Sequence, residues 1–191
     1  MRLFVALTPP GEVVEELRTS TSALRQMAPE LRWTRPEQWH LTLAFLGEVD
    51  DPVIAELTSR LGRAAARHPP LSLSLGGGGR FGQRVLWTRV HGDRHGLCRL
   101  ADSVRAAARR SGLPVEQRPY RPHLTLARAD SRPSRQSDKG SADLQPLVER
   151  LGSGAGKPWV ATQLYLVRSE LRAGPEGSAR HEPIAGWPLG G

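Results

Sequence analysis

The pentapeptide His-Leu-Thr-Leu-Ala occurs at 40–44 and again, letter for letter, at 123–127, an offset of 83 residues. That offset is close to half of the 191-residue chain, which points to an internal duplication at half-chain scale. Each copy follows a lead-in with an aromatic residue, proline and arginine: Trp33-Thr-Arg-Pro before the first, Arg118-Pro-Tyr-Arg-Pro before the second. Side chains i and i+2 of a strand share a face. His40 and Thr42 therefore stand together on one side of a strand, while Leu41 and Leu43 anchor the other side in a core. His123 and Thr125 repeat the arrangement. If the two strands face each other across a cleft, two imidazoles and two hydroxyls converge on one small volume.

The rest of the chain supplies a frame for two such strands. Strands are expected at 2–8, 31–34, 39–46, 71–75, 84–90, 123–127, 159–167 and, at an edge, 179–188. Helices are expected at 11–28, where Val13, Leu17 and Leu24 fall on one side, at 52–67 with Pro52 in its first turn, and at 93–111 with Gly112 as its stop. A short helix fits 143–151. The glycines at 76–79 read as a hairpin loop, because no helix with Lys-Ser/Thr follows them as a phosphate cradle requires. Residues 130–140 read as a polar mobile loop, and 152–156 as a second loose segment. Irregular alternation of strands and helices, with hairpins, predicts an α+β fold with mostly antiparallel sheets, and no GxGxxG follows the first strand.

Composition narrows the class of chemistry. The longest apolar run, 3–7, is far short of the ~20 residues of a membrane span and too quickly broken for a signal peptide. The one cysteine, Cys98, excludes an internal disulfide and a Cys-rich zinc site, and reads as a small buried residue of a helix. A soluble cytoplasmic monomer without membrane contact is the expectation. The formal charge is +8, and all but two of the 27 cations are arginine. Nine arginines fall between 99 and 135 against Asp102, Glu116 and Asp130. Such a balance suits a polyanionic partner, nucleic acid or phosphate; an arginine-rich composition gives the same count without any partner. Arg118, Arg121 and Arg128 flank the second motif and are the better candidates for contact, whereas Arg105, Arg109 and Arg110 fall on the outer side of a helix.

Imidazole titrates near neutral pH, so two histidines can divide the work of general base and general acid. Two hydroxyls can hold an anion by hydrogen bonds without adding charge. A phosphodiester fits between them: one imidazole activates the nucleophile, the other protonates the leaving oxygen. No metal or cofactor is called for, since no Asp, Glu, Cys or His stands at ligand spacing around either motif. His68, His91, His95 and His181 lack a partner pattern and read as surface or structural.

These residues resemble the 2H phosphoesterases, and most closely the RNA 2′,3′-cyclic phosphodiesterases, formerly described as 2′-5′ RNA ligases. The likeness runs through Arg2-Leu-Phe-Val-Ala-Leu, Trp33, the stretch 40–49, 118–128, Leu164-Tyr-Leu-Val-Arg-Ser and Trp187-Pro-Leu. The resemblance implies one bilobal, pseudo-symmetric domain over 1–191, with two antiparallel sheets lining a central cleft and helices outside. Each lobe would carry one motif, 40–43 or 123–126. It implies hydrolysis of an RNA terminal 2′,3′-cyclic phosphate, or of a small cyclic nucleotide, to a 2′-phosphate, without metal. Carried over, His40 is the proton donor and His123 the proton acceptor, with Thr42 and Thr125 binding the phosphate. Arg128, five residues beyond His123, matches an arginine that helps hold the phosphate, although an odd offset puts it on the wrong face of a regular strand. Phe45 is a candidate to stack on a base, and equally a core residue. The family often has tyrosine in its last strand where this chain has His181. Two alternatives stay open: a phosphodiesterase or ligase acting on another cyclic or 2′-5′ nucleotide ester, and a non-catalytic protein that binds RNA ends.

Overall fold

The computed structural model describes residues 1–129, 143–175 and 178–190. The loop expected at 130–140 lies outside the described residues.

Two antiparallel sheets form the frame. The first is built from β1 (Arg2–Leu7), β3 (Leu41–Glu48), β8 (Gln163–Glu170) and β9 (Arg180–Pro188), in the order β3-β1-β8-β9. The second takes β2 (Arg32–Trp33), β6 (His123–Arg128), β5 (Val85–Gly92), β4 (Leu71–Phe81) and β7 (Trp159–Ala161), in the order β2-β6-β5-β4-β7. One motif strand lies in each sheet: β3 at an edge of the first, β6 beside the short edge strand β2 of the second. This is the antiparallel α+β arrangement that the alternation predicts.

Four helices accompany the sheets among the described residues: α1 (Gly11–Met27), α2 (Asp51–Ala66), α3 (Arg94–Arg110) and α4 (Gln145–Leu151). Each long helix buries a stripe at helical spacing. In α1 the stripe is Val13, Leu17, Thr21 and Leu24, and in α2 it is Leu57, Leu61, Ala64 and Ala65. The N-terminus of α3 is capped by Asp93, whose carboxylate accepts from the Gly96 amide at 2.8 Å, and Arg109 and Arg110 sit at its negative end. Leu41, Leu43, Leu124 and Leu126 are all buried in one continuous core with these stripes. Each such leucine contributes about 2 kcal/mol of apolar burial. The motif strands are thus held from behind, on the side away from their histidines. No helix among the described residues is long and apolar enough to cross a membrane.

Three expectations need correction. The glycines at 76–79 are no loop but the middle of β4, with a register shift between Gly76 and Gly78. They are small because other chain lies directly on them. A β-carbon on Gly78 would come within 2.9 Å of Leu151 Cβ and the Val148 carbonyl, and one on Gly76 or Gly79 would overlap the Gly154 carbonyl or the Trp87 ring. The strand expected at 159–167 is two strands in different sheets. Trp159–Ala161 pairs with β4, and beyond Thr162 the chain joins β1 as β8. Alternation continues across the switch, so pattern alone does not reveal it. Cys98 is half-buried on α3 rather than in the core.

Candidate active site

The two motif histidines are held in the same way. His40 Nδ1 lies 2.5 Å from the Gln38 carbonyl, and His123 Nδ1 lies 2.6 Å from the Arg121 carbonyl, each two residues back along the chain. A carbonyl only accepts, so Nδ1 carries the proton and donates it. Nε2 of each neutral ring is then left with a lone pair, able to take a proton or, once protonated, to give one. An aromatic ring braces each imidazole. Phe4 of β1 stacks on His40 with centroids 4.6 Å apart, and Phe81 of β4 meets His123 edge-on at 4.9 Å.

Both motif strands break their ladder at the same point. Thr42 pairs with Ala6 and Ala44 with Val5, so Leu43 is the extra residue of a bulge. Thr125 pairs with Trp87 and Ala127 with Leu86, so Leu126 is the extra residue in β6. In each copy the fourth and fifth motif residues are both buried. The bulge resets strand parity, and the next residue returns to the face of the histidine. In the first copy that residue is Phe45, 61% exposed. In the second it is Arg128, paired with Val85. The odd offset of Arg128 is therefore no obstacle, and its charge acts on both His40 and His123.

A cavity of about 520 Å³ opens between the sheets, lined by Thr42 and Phe45 from one and by Phe81, Tyr120, Arg121 and His123 from the other side. Of the residues singled out in the sequence, Thr42, Phe45, Arg121 and His123 line this space. Thr125 shares the face of His123, half-buried beside it. His40 sits off the cavity among aromatic rings, within electrostatic reach of His123 and Arg128. Arg105 corrects its expected place on an outer helix face. It lines the cavity, donates to the Arg118 carbonyl at 2.9 Å, and lays its guanidinium 5.4 Å from the Tyr120 ring centroid.

Electrostatics favours neutral imidazoles in the free protein. Burial pushes His40 from 6.5 down to about 4, the Gln38 carbonyl pulls the other way, and the positive charges of His181, Arg128 and His123 depress it further. His123 is also lowered, first by burial and then by Arg128, against the pull of the Arg121 carbonyl. Burial and the neighbouring Arg32 lower Arg128. No carboxylate is among the groups that move either motif histidine. The field at both rings is therefore positive and one that an anion improves; Glu116, at the cavity wall, is paired with Arg118 at 3.6 Å. Among the described residues no three His, Cys, Asp or Glu side chains cluster as metal ligands.

Sequence reasoning missed several members. His181, set aside as structural or surface, lies 5.2 Å from His40 and 5.1 Å from Phe4 between ring centroids. The other three fit that reading: His68 faces Ser103 Oγ at 2.8 Å, His91 faces the Gly76 carbonyl at 3.0 Å, and His95 is exposed. Phe4 and Trp87 read as ordinary strand residues and Phe81 falls between two expected strands, and only strand pairing brings them to the imidazoles. The indole nitrogen of Trp87 and the hydroxyl of Tyr120 are buried without a protein partner.

Comparison with known proteins agrees in family and in fold. The profile of the 2′-5′ RNA ligase superfamily matches residues 6–172. An RNA 2′,3′-cyclic phosphodiesterase of Escherichia coli is 30% identical over 98% of this chain and 96% of its own length. One of Thermus thermophilus is 31% identical over 93% of this chain and 85% of its own. One of Geobacillus stearothermophilus is 29% identical over 97% of this chain, which spans 56% of that longer relative. Among solved structures, TT0787 of Thermus thermophilus superposes with a TM-score of 0.77 at 28% identity, covering 100% of this chain and 99% of that one. E. coli LigT complexed with 3′-AMP gives 0.73 at 28% identity, over 98% and 97%.

Proposed function

We propose that this chain, a member of the 2′-5′ RNA ligase superfamily, is an enzyme that hydrolyses the 2′,3′-cyclic phosphate at an RNA end to a 2′-phosphate, using His40 and His123 and no metal. The observation that carries the reading is the matched pair of imidazoles, one on each sheet, each with Nδ1 committed to a carbonyl and Nε2 left for proton transfer. The names of the relatives give the substrate class. We take each sheet with its motif strand as one lobe of a single working unit.

In this mechanism His123 Nε2 takes a proton from water as the water oxygen bonds to phosphorus. The P–O3′ bond breaks, and His40 Nε2–H gives its proton to O3′. The products are a 2′-phosphate and a free 3′-hydroxyl; exchange with solvent resets the two rings. Thr42 and Thr125 donate hydrogen bonds to the non-bridging oxygens, and Arg128 meets the growing negative charge. Phe45 offers an exposed face for a base to stack on, and Arg121 stands at the rim.

The depressed pKa of His40 bears on the donor role. A ring held near 4 is a poor cation in the empty site, so the bound phosphodiester anion must draw a proton onto it from solvent. Its negative charge beside His40 raises the pKa that burial and Arg128 have lowered. Substrate binding and proton uptake are then linked, and the donor is charged only when there is something to protonate.

The test is incubation with an oligonucleotide ending in a 2′,3′-cyclic phosphate, with and without EDTA, and identification of the product isomer. A 2′-phosphate formed at the same rate in both arms is expected. A 3′-phosphate, or loss in EDTA reversed by one divalent ion, overturns the mechanism. A second reading follows from the superfamily's description: the same imidazoles could pass the phosphoryl group to a ribose hydroxyl instead of water, which a 5′-hydroxyl oligonucleotide in the assay would reveal.

A further inference from the structure

His40 stands in a cluster of three rings. Phe4 stacks on it at an interplanar angle of 29°, and His181 meets both rings edge-on, at 76° to His40 and 72° to Phe4. His181 comes from β9, the far edge of the first sheet, 141 residues away in sequence. The contact exists because β9 pairs with β8 (His181 opposite Ser169), β8 with β1, and β1 with β3. The start of β9 is fastened to the same support that orients His40: Gln38 Nε2 donates to the Ala179 carbonyl, while the Gln38 carbonyl accepts from His40 Nδ1. His181 Nδ1 is buried with no protein partner. In the second sheet the rings beside His123 are Phe81 and Trp87, neither of which titrates.

We propose that His181 is a positioning residue for His40: it closes one side of the His40 ring, and as a second imidazole in direct contact it makes protonation of the two rings mutually exclusive. The proposal rests on the reading of His40 as the proton donor. The surroundings of His181 offer no free carboxylate to stabilise two cations at once. From β8, opposite Ser169, come its neighbours Arg168 and Glu170, and Arg168 is already paired with Glu182 at 2.6 Å and Glu170 at 3.5 Å. Phe4 of β1 is uncharged, and the turn before β3 contributes the amide of Gln38. Across the site, Arg128 and His123 add positive charge near His40. Burial lowers His181 as well. One proton on the pair is tolerable beside a phosphodiester anion; two are not. His181 thereby limits the pair to one proton, adding to the burial that already disfavours a charged His40, and its ring braces the imidazole edge-on.

Three variants separate the two parts of this proposal. His181→Gln removes the second cation but leaves a polar side chain, His181→Phe keeps a ring without a charge, and His181→Ala removes both. Imidazole titration of His40, followed by NMR in the protein without substrate, is expected to move to higher pH in His181→Gln. An unmoved midpoint overturns mutual exclusion. With a 2′,3′-cyclic nucleotide, His181→Ala is expected to lose about tenfold in kcat with KM changed less than about twofold, and His181→Phe to recover to within about threefold of the parent. A parental kcat in His181→Ala, or no recovery in His181→Phe, overturns the positioning role. The titration needs no turnover, so it decides the proton part even if the protein proves inactive on the cyclic phosphate.

Discussion

The two copies of the pentapeptide share every backbone device yet face different company. In both, Nδ1 is tied to the carbonyl two residues back, the second leucine and the alanine are buried through a bulge, and the sixth residue returns to the side of the histidine. The sixth residue is then an exposed phenylalanine in one copy and a cation in the other. The first histidine sits off the cavity against a second imidazole; the second lines the cavity. A duplicated strand supplies two rings with equal geometry. In the proposed mechanism it is the neighbouring strands that set the two rings apart, bringing His181 and Arg128 to bear on His40 and Arg128 on His123. An acid and a base need not differ in sequence if they differ in surroundings.

The largest effect expected from breaking this comparison is loss of either ring. His40→Ala and His123→Ala should each lower turnover of a 2′,3′-cyclic nucleotide by at least ~100-fold without changing the far-ultraviolet circular dichroism. Parental turnover in one variant would remove that residue from the chemistry. The pH profile sharpens the point. Both imidazoles are depressed below 6.5 in the free protein, His40 to about 4. The productive form has one of them protonated and the other not. The kcat/KM profile should therefore be bell-shaped with both limbs on the acid side of 6.5, and the kcat profile should lie at higher pH because bound phosphate stabilises the protonated ring. A flat kcat/KM through pH 4–8, with chemistry rate-limiting, would leave no room for the pair.

The sixth residues come next. Arg128→Ala should cost about tenfold or more in kcat/KM on a small cyclic nucleotide, because the cation that acts on both imidazoles, and in the proposed mechanism on the phosphate, is removed. Phe45→Ala should cost only a few-fold on the same substrate, mostly in KM, because a stacking platform binds the ground state and transition state alike. Equal losses would mean that the asymmetry of the two copies has no chemical content.

How far this site could be read from the chain depends on whether the information is local. The alternation of His40 to Leu43 and of His123 to Leu126 is local, and it is enough to read both strands, their buried leucines and the shared side of each His–Thr pair. The bulges are not local. Leu43 and Leu126 become extra residues only against the partner strands β1 and β5, so the parity of Phe45 and Arg128 was hidden. The glycines at 76–79 suggested flexibility because their reason for being small, the backbone at 152–156 and the ring of Trp87, lies elsewhere in sequence. The change of sheet at Thr162 left no mark on the alternation. His181 had no readable relation to His40, since only the order of four strands connects them. Local periodicity reports which face a residue takes; which residues share a site is a matter of topology.

The smallest expected effect concerns the arginines, and it tests whether the second copy's side of the cavity also tracks RNA. Arg121 is exposed at the cavity rim, and its backbone already serves the site by accepting from His123. Arg109 is exposed near the C-terminal end of α3 and lines no part of the cavity. An oligonucleotide crossing the rim would place a phosphate near Arg121 and release about one counterion there. The affinity of a cyclic-phosphate-ended oligonucleotide should thus fall with rising salt, and Arg121→Ala should weaken it a few-fold and reduce the slope of log affinity against log salt by about one. Arg109→Ala should leave both unchanged. A mononucleotide offers a single phosphate, so its binding should be nearly indifferent to Arg121 and only weakly dependent on salt. If Arg121→Ala and Arg109→Ala behave alike and oligonucleotide binding is insensitive to salt, then the +8 charge of the chain reflects composition, and the site recognises the cyclic end alone.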